Sequence, residues 1–193
     1  KIAALDVKSR RVIYSDYLRH HADQVKSVSD ALWKLYGRFP DAQFHLALTG
    51  SGAKRLGDAL GVPYVQEVVA NAAAVRALYP EVRTAVELGG QDAKVIFFRY
   101  DEASGKLQTS DMRMNGSCAG GTGAFIDEIA TLLNVPADEF EQLAARGKTV
   151  YSISGRCGVF AKTDIQPLLI QGAERADIAL STFHAIAKQT IGG

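Results

Sequence analysis

The segment from Thr84 to Tyr100, TAVELGGQDAKVIFFRY, does more than any other to narrow the folds open to this chain. Two runs rich in β-branched and aromatic residues flank a Gly-Gly pair, a common signal for a tight turn between antiparallel strands. The segment LQTSDMRM, which follows the loop EASGK, is typical of a third strand. The sequence therefore predicts a sheet whose neighbouring strands pair through short turns.

Helical patterns lie on both sides of these strands. Asp23 can cap a helix over residues 24–38, where apolar residues recur at helical spacing. Pro167 interrupts a later helical pattern, which allows either a kink or a late helix start. Hairpins followed by helices predict an α/β protein with two lobes, residues 1–80 and 81–193, each with a mixed sheet. The other predicted elements are strands in KIAALDV, RVIYSDYL and AQFHLAL, helices ending near Leu60 and Leu78, and helices over about 121–134, over about 137–146 and from about 176.

The composition of the chain limits its compartment and partners. Its 193 residues are 47% hydrophobic and 22% charged, as in a globular protein with a core, and we predict that Trp33, Phe97 and Phe98 face that core. The formal net charge of +1 does not indicate nucleic acid or an anionic membrane as a partner. No apolar run reaches the roughly 18 residues of a membrane span. Two cysteines cannot form a disulfide scaffold, so we expect a cytoplasmic protein.

The Gly-Gly turn is the first candidate for chemistry. Gly89 and Gly90 would let a ligand approach the backbone, whose N–H groups can face an anion. Gln91 could orient a water molecule, and Asp92 could hold a hydrated Mg²⁺ ion. An ordinary hairpin turn with solvated polar residues explains the same pattern, and turn chemistry alone favours that second interpretation.

A second glycine-bearing turn, Thr49–Gly52, follows a predicted strand and precedes a predicted helix. The N–H groups at a helix N-terminus attract anions. Alternatively, the hydroxyl of Thr49 or Ser51 caps the helix. The chain contains no phosphate loop ending in Gly-Lys-Ser/Thr and no GxGxxG pattern. A P-loop nucleotide site is therefore excluded, and a Rossmann cofactor site is disfavoured.

Both cysteines precede a predicted helix and have glycines nearby: Cys118 in NGSCAGGTGAF and Cys157 in SGRCGVF. A helix N-terminus favours a thiolate, which suits metal ligation or nucleophilic chemistry, although most free cysteines are small buried side chains. Neither cysteine has a CxxC partner, so a local zinc site is disfavoured. Two thiolates are half of the four that a cubane iron–sulfur cluster needs, and an isologous homodimer would supply the other two.

Four motifs, in this order along the chain, resemble the ATP-dependent activators of 2-hydroxyacyl-CoA dehydratases and the ATPase subunits of benzoyl-CoA reductases. The motifs are ALTGSG, ELGGQDAKVI, MNGSCAGGTGAFIDEIA and SGRCGVFAKTDI. The two cysteine motifs are the specific ones, and the resemblance covers essentially the whole chain. RCGVFAKTDIQPLL together with QTIGG is most similar to the long multi-domain activases.

The resemblance implies an actin-like ATPase fold of the acetate kinase, sugar kinase and heat-shock chaperone class. It implies a homodimer that holds one four-iron four-sulfur (4Fe-4S) cluster through Cys118 and Cys157 of each chain, and a site for ATP or ADP with Mg²⁺. ATP hydrolysis would drive a low-potential electron into a 2-hydroxyacyl-CoA dehydratase or a related reductase, with a ferredoxin- or flavodoxin-type protein as electron donor. The matching nucleotide-site residues are Thr49, Gly50, Gly89, Gly90, Gln91, Asp92, Gly120, Gly121, Thr122 and Gly123, with Gln91 and Asp92 in the catalytic positions.

The chain also departs from the family pattern. Glu87 stands where the smaller relatives usually have Asp. The first phosphate hairpin expected before KIAALD and the adenosine-binding segment expected after QTIGG are absent. We therefore expect this sequence to be part of a longer polypeptide and not to hydrolyse ATP efficiently by itself. Two other functions stay open: a sugar or small-acid kinase of the same fold, in which neither cysteine has a role, and a non-catalytic nucleotide-sensing module with inert cysteines.

Overall fold

The computed structural model describes residues 1–20, 22–90, 92–114, 120 and 122–192. Within these ranges the chain contains seven α-helices and seven β-strands. They belong to two compact units, Lys1–Ala70 and Asn71–Gly193. None of the helices in the described ranges has the length and apolar composition that crossing a bilayer requires. The predicted division into lobes at residue 80 stays a prediction.

The first unit opens with a hairpin formed by the first two predicted strands. Strand β1 (Ile2–Leu5) pairs antiparallel with β2 (Val12–Asp16). Helix α1 (Gln24–Arg38) follows and has the bounds that the sequence predicts. The Asp23 side chain accepts a hydrogen bond from the backbone N–H of Lys26 at 3.0 Å, which confirms the predicted cap. A polar residue just before an apolar-periodic segment is a local signal, which explains why the helix start could be predicted.

The predicted strand AQFHLAL is mostly wrong. Only β3 (Leu48–Thr49) is extended and paired, and its partner is the equally short parallel strand β4 (Tyr64–Val65). Strand propensity alone does not make a strand, because the backbone also needs a neighbour with which to hydrogen-bond. Helix α2 (Ala53–Leu60) lies between these strands, and α3 (Glu67–Leu78) begins in this unit and continues into the second.

The second unit contains the sheet that the Gly-Gly pair predicts. Strands β5 (Thr84–Leu88), β6 (Ala93–Asp101) and β7 (Lys106–Met114) form an antiparallel sheet in sequence order. On β6, Ile96 and Phe98 are buried, and α7 packs against this strand. The Gly-Gly turn therefore connects the ends of β5 and β6, two paired strands with a fixed register.

Four helices complete the second unit. The first, α4, begins two residues later than the sequence predicts, and α5 is shorter than predicted at both ends. Pro167 lies inside α6, so this helix begins well before the proline. The described core is formed mainly by these helices, and its largest fully buried aromatic residues are Phe125 and Phe140. The helices are α4 (Gly123–Leu132), α5 (Phe140–Ala144), α6 (Gly158–Ile170) and α7 (Arg175–Gly192).

An irregular segment, residues 147–157, connects α5 to α6 and is called the strap below. Asp177 on α7 accepts hydrogen bonds from the backbone N–H groups of Lys148 at 2.6 Å and Thr149 at 3.0 Å. These two bonds stabilise the carboxylate and lower the pKa of Asp177 below its ordinary value of 3.8. The start of the strap is therefore held by a charged acceptor on α7.

The strap remains in contact with α7 as far as Gly155. The Ser181 hydroxyl accepts a hydrogen bond from the backbone N–H of Tyr151 at 2.8 Å. Further on, Gly155 lies so close to α7 that an ideal Cβ there would be 2.6 Å from the carbonyl oxygen of Ala185. Asp177, Ser181 and Ala185 are spaced by four residues and so share one face of α7. That face fixes the path of the chain towards Cys157.

Candidate functional site

The Gly-Gly turn between β5 and β6 is closed by a backbone hydrogen bond from the Gly89 N–H to the carbonyl of Asp92 at 2.8 Å. An ideal Cβ on Gly89 would be 2.8 Å from that same carbonyl oxygen, so the turn itself requires glycine at this position. No described heavy atom lies within 4 Å of the place that a Gly90 Cβ would take. Gly90 therefore leaves open space at the turn. The predicted catalytic residue Gln91 lies outside the described residues.

A buried ammonium group lies beside this turn. Lys94, whose side chain is 4% exposed, has its Nζ 3.5 Å from Glu87 Oε2 and 3.6 Å from Asp92 Oδ2. The Asn71 amide donates a hydrogen bond to Glu87 Oε2 at 2.7 Å. The Asp92 side chain is still 36% exposed, so its carboxylate could take part in holding a hydrated Mg²⁺ ion. Glu87 and Asp92 are thus two carboxylates that share the ammonium group of Lys94 as their counter-ion.

Sequence reasoning did not assign Lys94 or Asn71 to the site. The signal for Lys94 was present, because a hairpin closed at Gly89 and Asp92 places Glu87 opposite Lys94 in the register, as observed. Opposite charges at directly paired positions are a recognised source of sheet stability. Asn71 could not be found in this way, because it comes from the neighbouring helix α3.

The start of α4 is joined to the Gly-Gly turn. The backbone N–H groups of Gly123 and Ala124 donate hydrogen bonds to the carbonyls of Gly89 and Gly90, both at 2.9 Å. Thr122 is the N-cap residue of α4 and is 1% exposed, but its side chain makes no capping bond. The first N–H groups of the helix, which ordinarily lack partners, are therefore satisfied by the turn. Gly121, another predicted nucleotide-site residue, lies outside the described residues.

Cys157 is the N-cap residue of α6, as the sequence predicts for a helix that begins directly after it. Its backbone is extended, with φ −155° and ψ 134°, and the residue is half-buried. Cys118 lies outside the described residues. Among the residues that the structure does describe, no group of three or more His, Cys, Asp or Glu side chains could hold a metal ion. The described donor set at this place is therefore one thiol at a helix start.

Gly120, which follows Cys118 by two positions in the sequence, lies against the end of the strap. An ideal Cβ on Gly120 would collide with the carbonyl oxygen of Arg156 and would be 2.5 Å from that of Gly155. Only glycine allows two backbone segments to approach this closely. The contact brings the sequence after Cys118 next to the residue that precedes Cys157.

An acidic side chain from α4 reaches the start of α6. The carboxylate of Glu128 occupies the space that a Cβ of Gly158 would fill. Glu128 also forms an ion pair with Lys162 at 2.8 Å, one helical turn further along α6. Sequence reasoning missed Glu128, because its partners lie on another helix and no local pattern indicates them.

The remaining predicted residues, Thr49 and Gly50, belong to the first unit. Thr49 lines a cleft of about 940 Å³ within that unit. Gly50 has a φ of 111°, and the next residue, Ser51, donates its N–H to Glu67 Oε1 at 3.2 Å. The hydroxyl cap considered for α2 is not observed, because its N-cap residue is Gly52, which has a φ of 83°.

Comparison with known proteins places these features in a family. The BadF/BadG/BcrA/BcrD ATPase family matches residues 6–192. The (R)-2-hydroxyglutaryl-CoA dehydratase activating ATPase of Acidaminococcus fermentans is 30% identical over 167 residues, covering 86% of this chain and 61% of that protein. The 2-hydroxyisocaproyl-CoA dehydratase activator of Clostridioides difficile is 33% identical over 164 residues, covering 83% of this chain and 59% of that protein. The chain thus spans about 60% of the length of these relatives.

Solved structures agree with the sequence matches. The Acidaminococcus fermentans (R)-2-hydroxyglutaryl-CoA dehydratase component A superposes with a TM-score of 0.77 at 26% identity, covering 94% of this chain and 68% of that one. The Clostridium difficile activator of 2-hydroxyisocaproyl-CoA dehydratase, solved with bound ADPNP, gives a TM-score of 0.73 at 29% identity, covering 94% and 64%. These matches confirm the predicted α/β, actin-like ATPase fold class.

Proposed function

The chain belongs to the BadF/BadG/BcrA/BcrD ATPase family, and from that premise we propose that the protein is an ATP-driven activator of an acyl-CoA dehydratase or reductase. Membership confirms the family that the four sequence motifs predict. Relatives named as activators of 2-hydroxyglutaryl-, 2-hydroxyisocaproyl- and lactoyl-CoA dehydratases support the proposed class of partner. The observation that carries the proposal is the contact of Gly120 with Arg156, because it joins the two cysteine-bearing segments.

The proposed cofactor is one 4Fe-4S cluster for each homodimer. When bound, such a cluster supplies one-electron redox chemistry at low potential. The chain has two cysteines and a cubane cluster takes four thiolates, so the ligand count calls for two chains. Cys157 fits the role of a ligand, because it is half-buried and stands at the N-terminus of α6, where the helix dipole stabilises a thiolate. Cys118 is proposed as the second ligand.

The proposed nucleotide is ATP or ADP with Mg²⁺, bound at the Gly-Gly turn. Asp92 would offer its partly exposed carboxylate to the hydrated metal ion, while the buried Lys94 ammonium group, 3.6 Å away, holds that carboxylate in place. Gly90 would let phosphate oxygens come close to the backbone. Gly89 and Gly123 would support this arrangement by fixing the turn to α4. The other predicted nucleotide-site residues stay predictions: Thr49, Gly50, Gln91, Gly120, Gly121 and Thr122.

Anaerobic purification of the complete protein tests the proposal. We expect a brown dimer with about four iron atoms, as the four-thiolate ligand rule requires. Its iron content should fall sharply in Cys157→Ala and in Cys118→Ala. Ser152→Ala, an exposed substitution on the strap, should keep the full iron content and serves as the matched control. The electron paramagnetic resonance spectrum of the reduced dimer should change when ATP is added.

Two results would contradict the proposal. One is a folded, colourless dimer without iron, and the other is full iron retention in Cys157→Ala. Phosphoryl transfer to a panel of sugars that persists in Cys118→Ala would instead support a kinase of the same fold. Reduction of the dimer by a ferredoxin- or flavodoxin-type protein, measured by the loss of visible absorbance, tests the proposed electron donor.

A further inference from the structure

On the basis of the function proposed above, we infer that Glu128 is a positioning residue that couples the Gly-Gly turn to the start of α6 at Cys157. The relevant contacts all lie within the second unit and form a continuous series. They run from the turn to α4, along α4 to Glu128, and from Glu128 to the first turn of α6.

The first step is the joint between the turn and α4. Two hydrogen bonds, both 2.9 Å, connect the carbonyls of Gly89 and Gly90 to the first two N–H groups of α4. Thr122, directly before the helix, is 1% exposed, so the residue that leads into α4 is packed in the interior. A ligand that changes the position of the turn must therefore move the start of α4 or break both bonds.

The second step is along α4. Phe125 and Ile129 are 1% and 0% exposed and fix this helix in the core that it shares with α6. Glu128 lies between them in the sequence. Its side chain reaches α6, because its carboxylate is in contact with Gly158. Interiors packed this tightly transmit displacements because they have few voids to absorb them.

The third step is at the start of α6. The Glu128 carboxylate touches Gly158 and pairs with Lys162 at 2.8 Å, so it contacts two successive turns of the helix. A negative charge near a helix N-terminus is stabilised by the dipole and by N–H groups that have no partner within the helix. Cys157 directly precedes Gly158, so a movement of Glu128 changes the orientation of the residue that would hold the cluster.

Residue-resolved thiol labelling measures this coupling without the cluster. The complete protein, stripped of iron, is treated with iodoacetamide, and the alkylation rate of Cys157 is followed by peptide mass spectrometry with and without Mg-ADP or a non-hydrolysable ATP analogue. In the unmodified protein we expect nucleotide to change this rate by about fivefold or more, the lower end of usual allosteric couplings. In Glu128→Gln, which keeps the side-chain shape, the change should fall below about twofold.

Two further variants separate coupling from a general loss of stability. Gly158→Ala puts a methyl group where the carboxylate lies and so displaces it without changing the charge of the protein. Its nucleotide response should be reduced as in Glu128→Gln. Glu141→Gln removes an exposed carboxylate of the same type on α5 and should keep the full response. Nucleotide affinity, measured by calorimetry, confirms that each variant still binds.

The outcomes distinguish this inference from the proposed function. An unchanged nucleotide response in both Glu128→Gln and Gly158→Ala would overturn the role of Glu128. So would an unmodified protein that binds nucleotide but shows no change at Cys157, even if the same preparation assembles the cluster. A protein that binds neither nucleotide nor iron would overturn the proposed function and the coupling with it.

Discussion

Helices α4 and α6 begin in similar sequence settings, each after a cysteine and glycines, yet different groups lie against their N-termini. The first N–H groups of α4 donate to backbone carbonyls of the Gly-Gly turn. The start of α6 receives the carboxylate of Glu128, at the end of a side chain. A backbone partner is fixed by the hairpin that carries it, whereas a side-chain partner can change rotamer. The start of α4 is therefore a rigid joint, and the start of α6 is an adjustable one.

The strap, which leads into α6, is held along its length. The strap reaches Cys157 along α7, where Asp177 and Ser181 bind its backbone N–H groups. At its end, Gly155 and Arg156 lie against Gly120. The segment before Cys157 is therefore firmly held, whereas the start of α6 after it is adjustable. We expect any movement at Cys157 to come from α6 and not from the strap.

The largest effect is expected where the two cysteine-bearing segments meet. Gly120→Ala places a Cβ against the carbonyls of Arg156 and Gly155, and both are backbone groups that cannot rotate away. We expect the free energy of unfolding to fall by about 2–3 kcal/mol, at the upper end for overpacking. Urea unfolding followed by circular dichroism measures this loss.

Gly37→Ala is the control, because no heavy atom lies within 4 Å of the new Cβ, and it should instead stabilise the protein by about 0.5–1 kcal/mol. A loss below about 0.5 kcal/mol for Gly120→Ala would contradict the contact.

The next effect concerns the anchor of the strap and depends on pH. Asp177→Asn removes the charged acceptor for Lys148 and Thr149, so the melting temperature should drop at pH 7. The folded pKa of Asp177 is lowered, so its stabilisation is complete above the ordinary value of 3.8 and is lost as the pH falls through the folded pKa. The gap between the two proteins should therefore be constant from pH 7 to about 5 and narrow below about 4. Asp138→Asn, at an exposed position, is the control. A gap that widens in acid would refute the assignment.

A smaller effect distinguishes the two helix starts directly. Gly158→Ala displaces the Glu128 carboxylate and should cost about 1 kcal/mol, the upper end of the usual range for a charge–dipole contact at a helix N-terminus. Gly123→Ala places its Cβ 3.4 Å from the Gly89 carbonyl, which is close to an ordinary contact. Because alanine favours the helix, this variant should change stability by less than about 0.5 kcal/mol. Equal losses at both positions, measured by urea unfolding, would mean that the two starts are held alike.

Local signals explain how much of the fold could be predicted. The Asp23 cap and the hairpin around Gly89 depend on residues close together in the sequence, and both are observed. Burial could be predicted less well: Phe98 is 5% exposed, as expected of a core residue, but Trp33 is 70% exposed and the prediction for it is wrong. Periodicity identifies an apolar helix face but not how much of that face another element covers.

The candidate site divides in the same way. The glycine turn and the helix start at Cys157 follow from local sequence patterns, and the structure contains both. Glu128 and Asn71 act on partners from other elements, and no single-sequence pattern reports such pairs. Register makes Lys94 an intermediate case, because a hairpin of known turn length fixes its partner in advance.

The smallest predicted effect is at Lys162, the second contact of Glu128 on α6. Both side chains of this ion pair are partly exposed, 41% and 37%, so water and salt screen the attraction. Lys162→Gln should therefore lower the free energy of unfolding by only about 0.2–1 kcal/mol, and the loss should shrink further in 1 M salt. A double-mutant cycle with Glu128→Gln isolates the pair energy. A coupling above about 2 kcal/mol would show that Lys162, and not the helix N-terminus, holds the Glu128 carboxylate in place.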